Sequence, residues 1–259
     1  MQFKRLYIQF NRYGLRKKFM RVMAGTLRGY WFTTERSYEY LLGNYEDPTT
    51  LETFMSACGK GTVFYDLGAA AGYYTLIADR CIDAGTILCF EPFTANRDLL
   101  KAHLELNKER LKKSNGIRVL PYALSDENKT IAFSNDPVQT DGNTYIKTSP
   151  SFKENAEPLM VTAYALDNWV AAGNAPPNII KIDVEGAEYD VLKGAEKTIL
   201  QYRPLILLAT HDCHLPGVKD KCISLLTGWG YKLQHTGNYN QQVGGLDDFI
   251  AKPGGVEGG

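Results

Sequence analysis

From Thr62 onward, short apolar runs alternate with helix-period segments, and this alternation restricts the chain to a mostly parallel sheet with crossover helices. The apolar runs predict strands near 62–66, 86–91, 117–122, 178–183 and 204–210. The periodic segments predict helices near 72–82, 94–110, 187–201 and 216–228. Two late segments, 229–235 and 247–251, are punctuated by Gly228, Gly230, Gly244 and Gly245 and read as an antiparallel pair closing the sheet. Between about 127 and 160 the alternation fails. That stretch is polar and turn-rich, with Asp141-Gly142-Asn143 and Pro137, Pro150 and Pro158, and reads as an insertion, either a surface hairpin or a lid beside an active edge.

Residues 1–28 carry eight bases (Lys4, Arg5, Arg12, Arg16, Lys17, Lys18, Arg21 and Arg28), and all 29 acidic residues lie beyond them. The body is therefore net acidic and should repel nucleic acid, while the amino-terminal arm attracts anions. Phe3, Leu6, Tyr7, Phe10 and Tyr13 recur at helical spacing, so a basic amphipathic helix is expected there. It either caps the domain or makes peripheral contact with anionic lipid. The expected division is a basic helical extension over 1–58 and a catalytic domain over 59–259. Five cysteines at irregular spacing, with no zinc-like cluster, read as reduced thiols of a cytoplasmic protein.

Four segments carry chemistry. In Val63-Phe64-Tyr65-Asp66-Leu67-Gly68-Ala69-Ala70-Ala71-Gly72-Tyr73-Tyr74-Thr75, a strand meets a helix through a turn of small residues, which lets a ligand approach bare backbone. The spacing Gly68, Ala70, Gly72 departs from the Gly-x-Gly-x-x-Gly of dinucleotide binders. Asp66 at the strand's carboxyl end would repel a pyrophosphate and suits a cofactor bearing an ammonium and a sulfonium. In Phe90-Glu91-Pro92, Glu91 ends the next strand, where a carboxylate can accept from both ribose hydroxyls. Ala123-Leu124-Ser125-Asp126 offers Asp126 to an adenine amine or, equally, to a turn cap. Ile182-Asp183-Val184-Glu185-Gly186-Ala187-Glu188 puts two further carboxylates, Asp183 and Glu185, at the sheet edge.

Together with Leu42-Gly43-Asn44-Tyr45-Glu46, Asn96, Asn107, Ala165-Leu166-Asp167, Leu192-Lys193-Gly194-Ala195 and Arg203-Pro204, these segments resemble, in order over about residues 40–251, the FkbM family of S-adenosylmethionine-dependent methyltransferases. The resemblance implies an α/β class I methyltransferase fold: a Rossmann-like, seven-stranded, mostly parallel sheet with helices on both faces, here with an amino-terminal helical extension. It implies methyl transfer, usually to oxygen, on sugars, glycans or natural products, with S-adenosylhomocysteine as product. It further implies that Asp66 to Gly72, with Gly68, Ala69 and Ala70 in the turn, hold the methionine part and Glu91 the ribose; Tyr73, Ser125, Asp126 and Asp183 are expected to complete the cofactor site. The chain departs from the family pattern in the turn's Ala-Ala-Ala and in a fifth strand ending Ala209-Thr210-His211-Asp212.

Asp183, Glu185 and His211 are the candidate bases for a hydroxyl acceptor, with Asp183 first. His211 suits neutral pH through its ordinary pKa near 6.5. The same three can offer ligands to a divalent ion, but spacing across separate strands does not establish this and no metal is assigned. Two other functions compete. A nicotinamide-dependent oxidoreductase shares the Glu91 logic but lacks the third glycine. A membrane-docked nucleoside-binding module would use the basic arm but has no need of acids at 66, 91, 183 and 185.

Overall fold

In the computed structural model of the chain, the described residues are 18–133, 158–237 and 245–254. Seven strands form the main sheet: β3 (Val63–Leu67), β4 (Thr86–Phe90), β5 (Gly116–Leu120), β9 (Ile179–Ile182), β10 (Leu205–His211), β11 (Tyr231–Gly237) and β12 (Leu246–Pro253). Their order is β11-β12-β10-β9-β3-β4-β5, with β12 antiparallel to both of its neighbours and the remaining pairs parallel. All seven predicted strands are present within a few residues of their expected bounds. Strand order reverses between β3 and β9, so the connections leaving their carboxyl ends part to opposite faces and open a crevice where ligands bind.

The period-two pattern divides the strand residues between two cores. Phe64, Ile87, Cys89, Ile179 and Leu207 pack on one face with α2 (Pro48–Ala57), α3 (Tyr73–Cys81) and α4 (Thr94–Leu106). Tyr65, Leu67, Leu88, Phe90, Ile180, Ile182, Ile206 and Leu208 pack on the other with α5 (Leu166–Ala171), α6 (Glu188–Lys193), α7 (Glu196–Tyr202) and α8 (Val218–Gly228). The single helix predicted over 187–201 is two, α6 and α7. At Gly194 between them, a Cβ would stand 2.0 Å from the Ser125 carbonyl oxygen, so the chain runs too close to its neighbour for any side chain. α5 escaped the sequence reading because six residues are too short to show a period. Asp167 in its first turn accepts from the amides of Lys197 (3.0 Å) and Thr198 (2.7 Å), capping α7 from outside.

The expected insertion is in part a second sheet. β6 (Ala123–Leu124), β8 (Leu159–Tyr164) and β7 (Lys129–Phe133) lie in the order β6-β8-β7, with Phe133, Val161 and Ala163 buried between them. Polar neighbours hide this alternation in the sequence. The turn Asp141-Gly142-Asn143 lies outside the described residues, as do Pro137 and Pro150.

The amino-terminal segment needs a larger correction. The predicted helix over 3–13 lies outside the described residues. Residues 19–33 form not a helix but an antiparallel pair, β1 (Phe19–Arg21) and β2 (Trp31–Thr33), followed by the one-turn α1 (Glu39–Leu42) and by α2. Val22, Leu27, Tyr30, Phe32, Leu41 and Phe54 are buried in the same cluster as Phe64 and Ile77. Segment 18–58 is therefore continuous with the sheet's core, and deleting residues 1–28 would uncover part of it. Each fully buried aromatic side chain contributes about 1.5–3 kcal/mol to that union. The five cysteines are free thiols, and no helix among the described residues is long and apolar enough to cross a membrane.

His103 on α4 joins the two parts. Its ring stacks on Phe32 at 4.2 Å, Nε2 accepts from the Thr33 amide at 2.8 Å, and Nδ1 donates to the Ala71 carbonyl at 2.6 Å. Asn107, one turn on, pairs with both the amide and the carbonyl of Trp31. Only the neutral imidazole fits, since a proton on Nε2 would face the Thr33 N–H. Burial, opposed by the Ala71 carbonyl and reinforced by the nearby Arg36 charge, lowers the His103 pKa to about 4. With the folded pKa below the unfolded value of about 6.5, its contribution is complete above pH 6.5 and is lost as pH falls toward 4. Unfolding free energy of the parent should therefore fall over that window by roughly 3 kcal/mol more than that of His103→Gln. Parallel pH profiles for the two proteins would discard the assignment.

Candidate active site

The crevice at the carboxyl ends of β3, β4, β9 and β10 is a cavity of about 710 Å³. Its floor is the turn after β3, in which Gly68, Ala70 and Gly72 have φ of 76°, 47° and 85°. The amides of Gly68 and Ala69 donate to the Phe90 carbonyl at 2.9 and 3.1 Å, binding the turn to β4. Glu91, 4% exposed, accepts from the amides of Ala70 and Phe93, each at 2.8 Å. It thus shapes the turn as well as lining the cavity, and its oxygens keep lone pairs for a diol. Burial raises its carboxyl above the ordinary range, against the pull of those amides.

Asp66, 1% exposed, accepts at Oδ2 from the Thr75 hydroxyl at 2.8 Å, whereas Oδ1 is buried without a hydrogen-bond partner. The cation beside it is Lys181, which the sequence reading missed. Lys181 Nζ donates to the Gly68 carbonyl at 2.8 Å and lies 3.1 Å from Asp183 Oδ2 and 3.7 Å from Asp66 Oδ1. Burial favours its neutral form, yet Asp183 and Asp66 outweigh that and raise its pKa. The signal was present: a lysine inside Ile179-Ile180-Lys181-Ile182, two residues before Asp183 and hence on the same face. The buried, unpartnered Oδ1 of Asp66 beside bare backbone fits an amino-acid group bearing positive charge.

Beside Lys181 the structure brings Asp183, Glu185 and His211 together. His211 Nε2 is 3.5 Å from Asp183 Oδ1 and 3.6 Å from Glu185 Oε2, and His214 Nε2 is 3.0 Å from the same Glu185 oxygen. His211 Nδ1 pairs with Glu188 Oε1 at 2.7 Å. Glu188 is fully buried, also accepts from the Gly186 amide at 2.9 Å, and orients the imidazole. Although burial disfavours its charge, Glu185, Glu188 and Asp183 together lift the His211 pKa well above its ordinary value. The charged form is thereby favoured over what the ordinary pKa near 6.5 used in the sequence reading implies. For Asp183, burial pushes the carboxyl up, but Lys181 and His211 bring it below the ordinary range.

Ser125 and Asp126 do not join the site. Their neighbours Tyr122, Ala123 and Leu124 line the cavity, but β6 pairs with β8 and carries the chain past the rim. The Ser125 amide donates to the Tyr164 carbonyl, and Asp126 pairs with Lys129 and Lys193. The Asp126 carboxylate is paired with these lysines outside the residues that line the cavity. In return, acids that the sequence reading did not single out line the cavity, Glu46 and Asp248 among them. Glu46 accepts from the Tyr74 hydroxyl at 2.6 Å, and Asp248 reaches the cavity from β12, opposite Ala209. Burial, with Glu46 and Asp183 nearby, pushes the Asp248 carboxyl up to about 7. Ile131 and Phe133 of β7 also line the cavity.

Comparison with known proteins gives concordant results. The family profile described as "Methyltransferase FkbM domain" matches residues 66–233. The chain is 30% identical over 133 residues to hexuronic acid methyltransferase AglP of Haloferax volcanii, covering 51% of this chain and 49% of that protein. It is 27% identical over 150 residues to methyltransferase 1 of Beauveria bassiana, covering 51% and 57%. The chain thus spans about half the length of the curated relatives it matches. Among solved structures, methyltransferase FkbM from Methylobacillus flagellatus superposes with a TM-score of 0.50 at 15% identity, covering 74% of this chain and 44% of that one, a likeness of fold.

Proposed function

This chain belongs to the FkbM methyltransferase family, and from that premise we propose that it moves the methyl group of S-adenosylmethionine to a hydroxyl of a sugar, glycan or natural product. The observation that carries the reading is the sign of the cavity: the acids that line it, among them Glu46, Asp66, Glu91, Asp183, Glu185 and Asp248, outnumber Lys181 and Arg36 and the imidazoles of His211 and His214. Such a lining attracts a cofactor with an ammonium and a sulfonium and repels the pyrophosphate of a dinucleotide. That difference favours methyl transfer over the nicotinamide alternative. The name of the archaeal relative, a hexuronic acid methyltransferase, supports a carbohydrate acceptor.

In this reading the turn at 68–72 and Asp66 hold the methionine part, and Glu91 holds the ribose. The cofactor supplies an electrophilic methyl group. The protein's task is to hold an acceptor oxygen in line with that carbon and to receive the hydroxyl proton. Asp183 is the acceptor of that proton, since it lines the cavity at the end of β9 with Lys181 on one oxygen and His211 beside the other. Glu188 and Lys181 act as positioning residues, one through His211 and the other through Asp183. The basic residues 1–28 remain our candidate for a peripheral contact with anionic lipid.

Thermal shifts with S-adenosylmethionine, S-adenosylhomocysteine and NAD test the proposal. A ligand at 100 times its Kd stabilises by about 2.7 kcal/mol, or very roughly 5–10 °C for a chain of this length. The first two are expected to stabilise and NAD to have no effect; stabilisation by NAD alone would refute the reading. Glu91→Ala should weaken S-adenosylmethionine about 10–100-fold by calorimetry, through the loss of charge-assisted hydrogen bonds of about 1.5–3 kcal/mol each. Unchanged affinity would remove Glu91 from the ribose site.

A further inference from the structure

The geometry points to a divalent-cation site formed by Asp183 Oδ1, Glu185 Oε2 and His211 Nε2, with Mn²⁺ as the cation that suits the donor set. The three ligand atoms lie within 4.8 Å of one another on one wall of the cavity. Donors about 2.1 Å from a shared octahedral cation stand roughly 3–4 Å apart, so the spacings of 3.5 and 3.6 Å from Nε2 are already close to bonding geometry. The ligands come from adjoining places: the end of β9, the turn after it, and the end of β10, whose residues pair in register with β9.

Two further observations set this cluster apart from a chance group of acids. Glu185 Oε2 is buried and makes no hydrogen bond of good geometry, its neighbours being the imidazoles of His214 at 3.0 Å and His211 at 3.6 Å. The His211 ring, 6% exposed, makes its hydrogen bond through Nδ1 alone, which leaves Nε2 directed at the two carboxylates. The fully buried Glu188 on Nδ1 completes the carboxylate–histidine arrangement that orients metal-binding imidazoles. Mixed carboxylate and imidazole donors favour Mn²⁺ over Mg²⁺, which prefers oxygen throughout.

The site gives a role to the proposed hydroxyl acceptor and rests on that reading. A cation facing the cavity lowers the pKa of a bound hydroxyl. The proton passes by way of the Asp183 carboxylate to solvent, the oxygen bonds to the methyl carbon, and the carbon–sulfur bond breaks with its electron pair staying on sulfur.

Titrating the cofactor-free full chain with Mn²⁺, followed by its electron paramagnetic resonance signal, is expected to show saturable uptake. Glu188→Gln should weaken uptake about 10–100-fold, and Asp183→Asn and His211→Ala more strongly. In the unaltered protein, bound Mn²⁺ should broaden the ring-proton resonances of His211 and His214 before those of His103 and His235. That readout does not depend on any variant folding. No uptake at millimolar Mn²⁺, uptake unaffected by Asp183→Asn, or sharp His211 resonances in the loaded protein would each overturn the site. Because no cofactor is present, these failures are distinct from a failure of S-adenosylmethionine to bind.

Discussion

Asp183→Asn is expected to lower methyl transfer by about 10²–10⁴-fold, the range for removing a positioned proton acceptor, while changing S-adenosylmethionine affinity far less. The asymmetry follows from where the carboxylate sits. Its Oδ1 faces His211, whereas the turn at 68–72 and Glu91 are the parts proposed to hold the cofactor. Asparagine keeps the shape and a hydrogen-bond acceptor for Lys181, and Asp66 remains beside the lysine to share its charge. Transfer of labelled methyl to a panel of sugar and glycan hydroxyls, with calorimetry of the cofactor, measures both quantities. Parent-like turnover on the true acceptor would leave proximity as the whole of catalysis. The same test covers the proposed cation site, since a lost ligand and a lost base both act on turnover, and the Mn²⁺ titration separates them.

Gly68→Ala is expected to destabilise the fold by about 3–5 kcal/mol, the sum of left-handed backbone strain in a residue with a Cβ and of overpacking. The added Cβ would lie 1.9 Å from the Asp183 carbonyl oxygen, at a residue whose φ is 76°. Relief requires β3 and β9 to separate where the turn, Lys181 and Asp183 converge, so cofactor affinity should fall with stability. Gly61 is the control: it has the same φ of 76°, but nothing lies within 4 Å of its Cβ position. Gly61→Ala should cost about 1–3 kcal/mol from strain alone. At about 2–4 °C per kcal/mol for a chain of this size, the two melting temperatures are resolvable. Equal losses would show that the close approach to Asp183 does not matter.

Much of the architecture was legible because it is encoded locally. Alternation with period two fixes which residues of β3, β4 and β9 face each core, and the ends of the apolar runs, read with a parallel sheet, place Asp66, Glu91 and Asp183 at carboxyl ends on one edge. Ala165-Leu166-Asp167 and Gly194 were visible as part of a family pattern but had no physical reading until Asp167 was seen to cap α7 and Gly194 to lie against Ser125.

What only the tertiary structure decided is the set of partners. Lys181 is in the sequence, yet that it stands between Asp66 and Asp183 depends on the register of β3 against β9. Glu188 reaches His211 across 23 residues, and Glu46 and Asp248 share one cavity although they come from opposite ends of the chain. Asp126 looked like a ligand-binding acid and is held by two lysines, because β6 pairs with β8 and takes its end away from the cavity. Secondary structure follows from the period of side chains along a few residues, which a sequence displays. The charge and proton state of a site follow from distances between elements far apart in the chain, and those are set when the whole core packs.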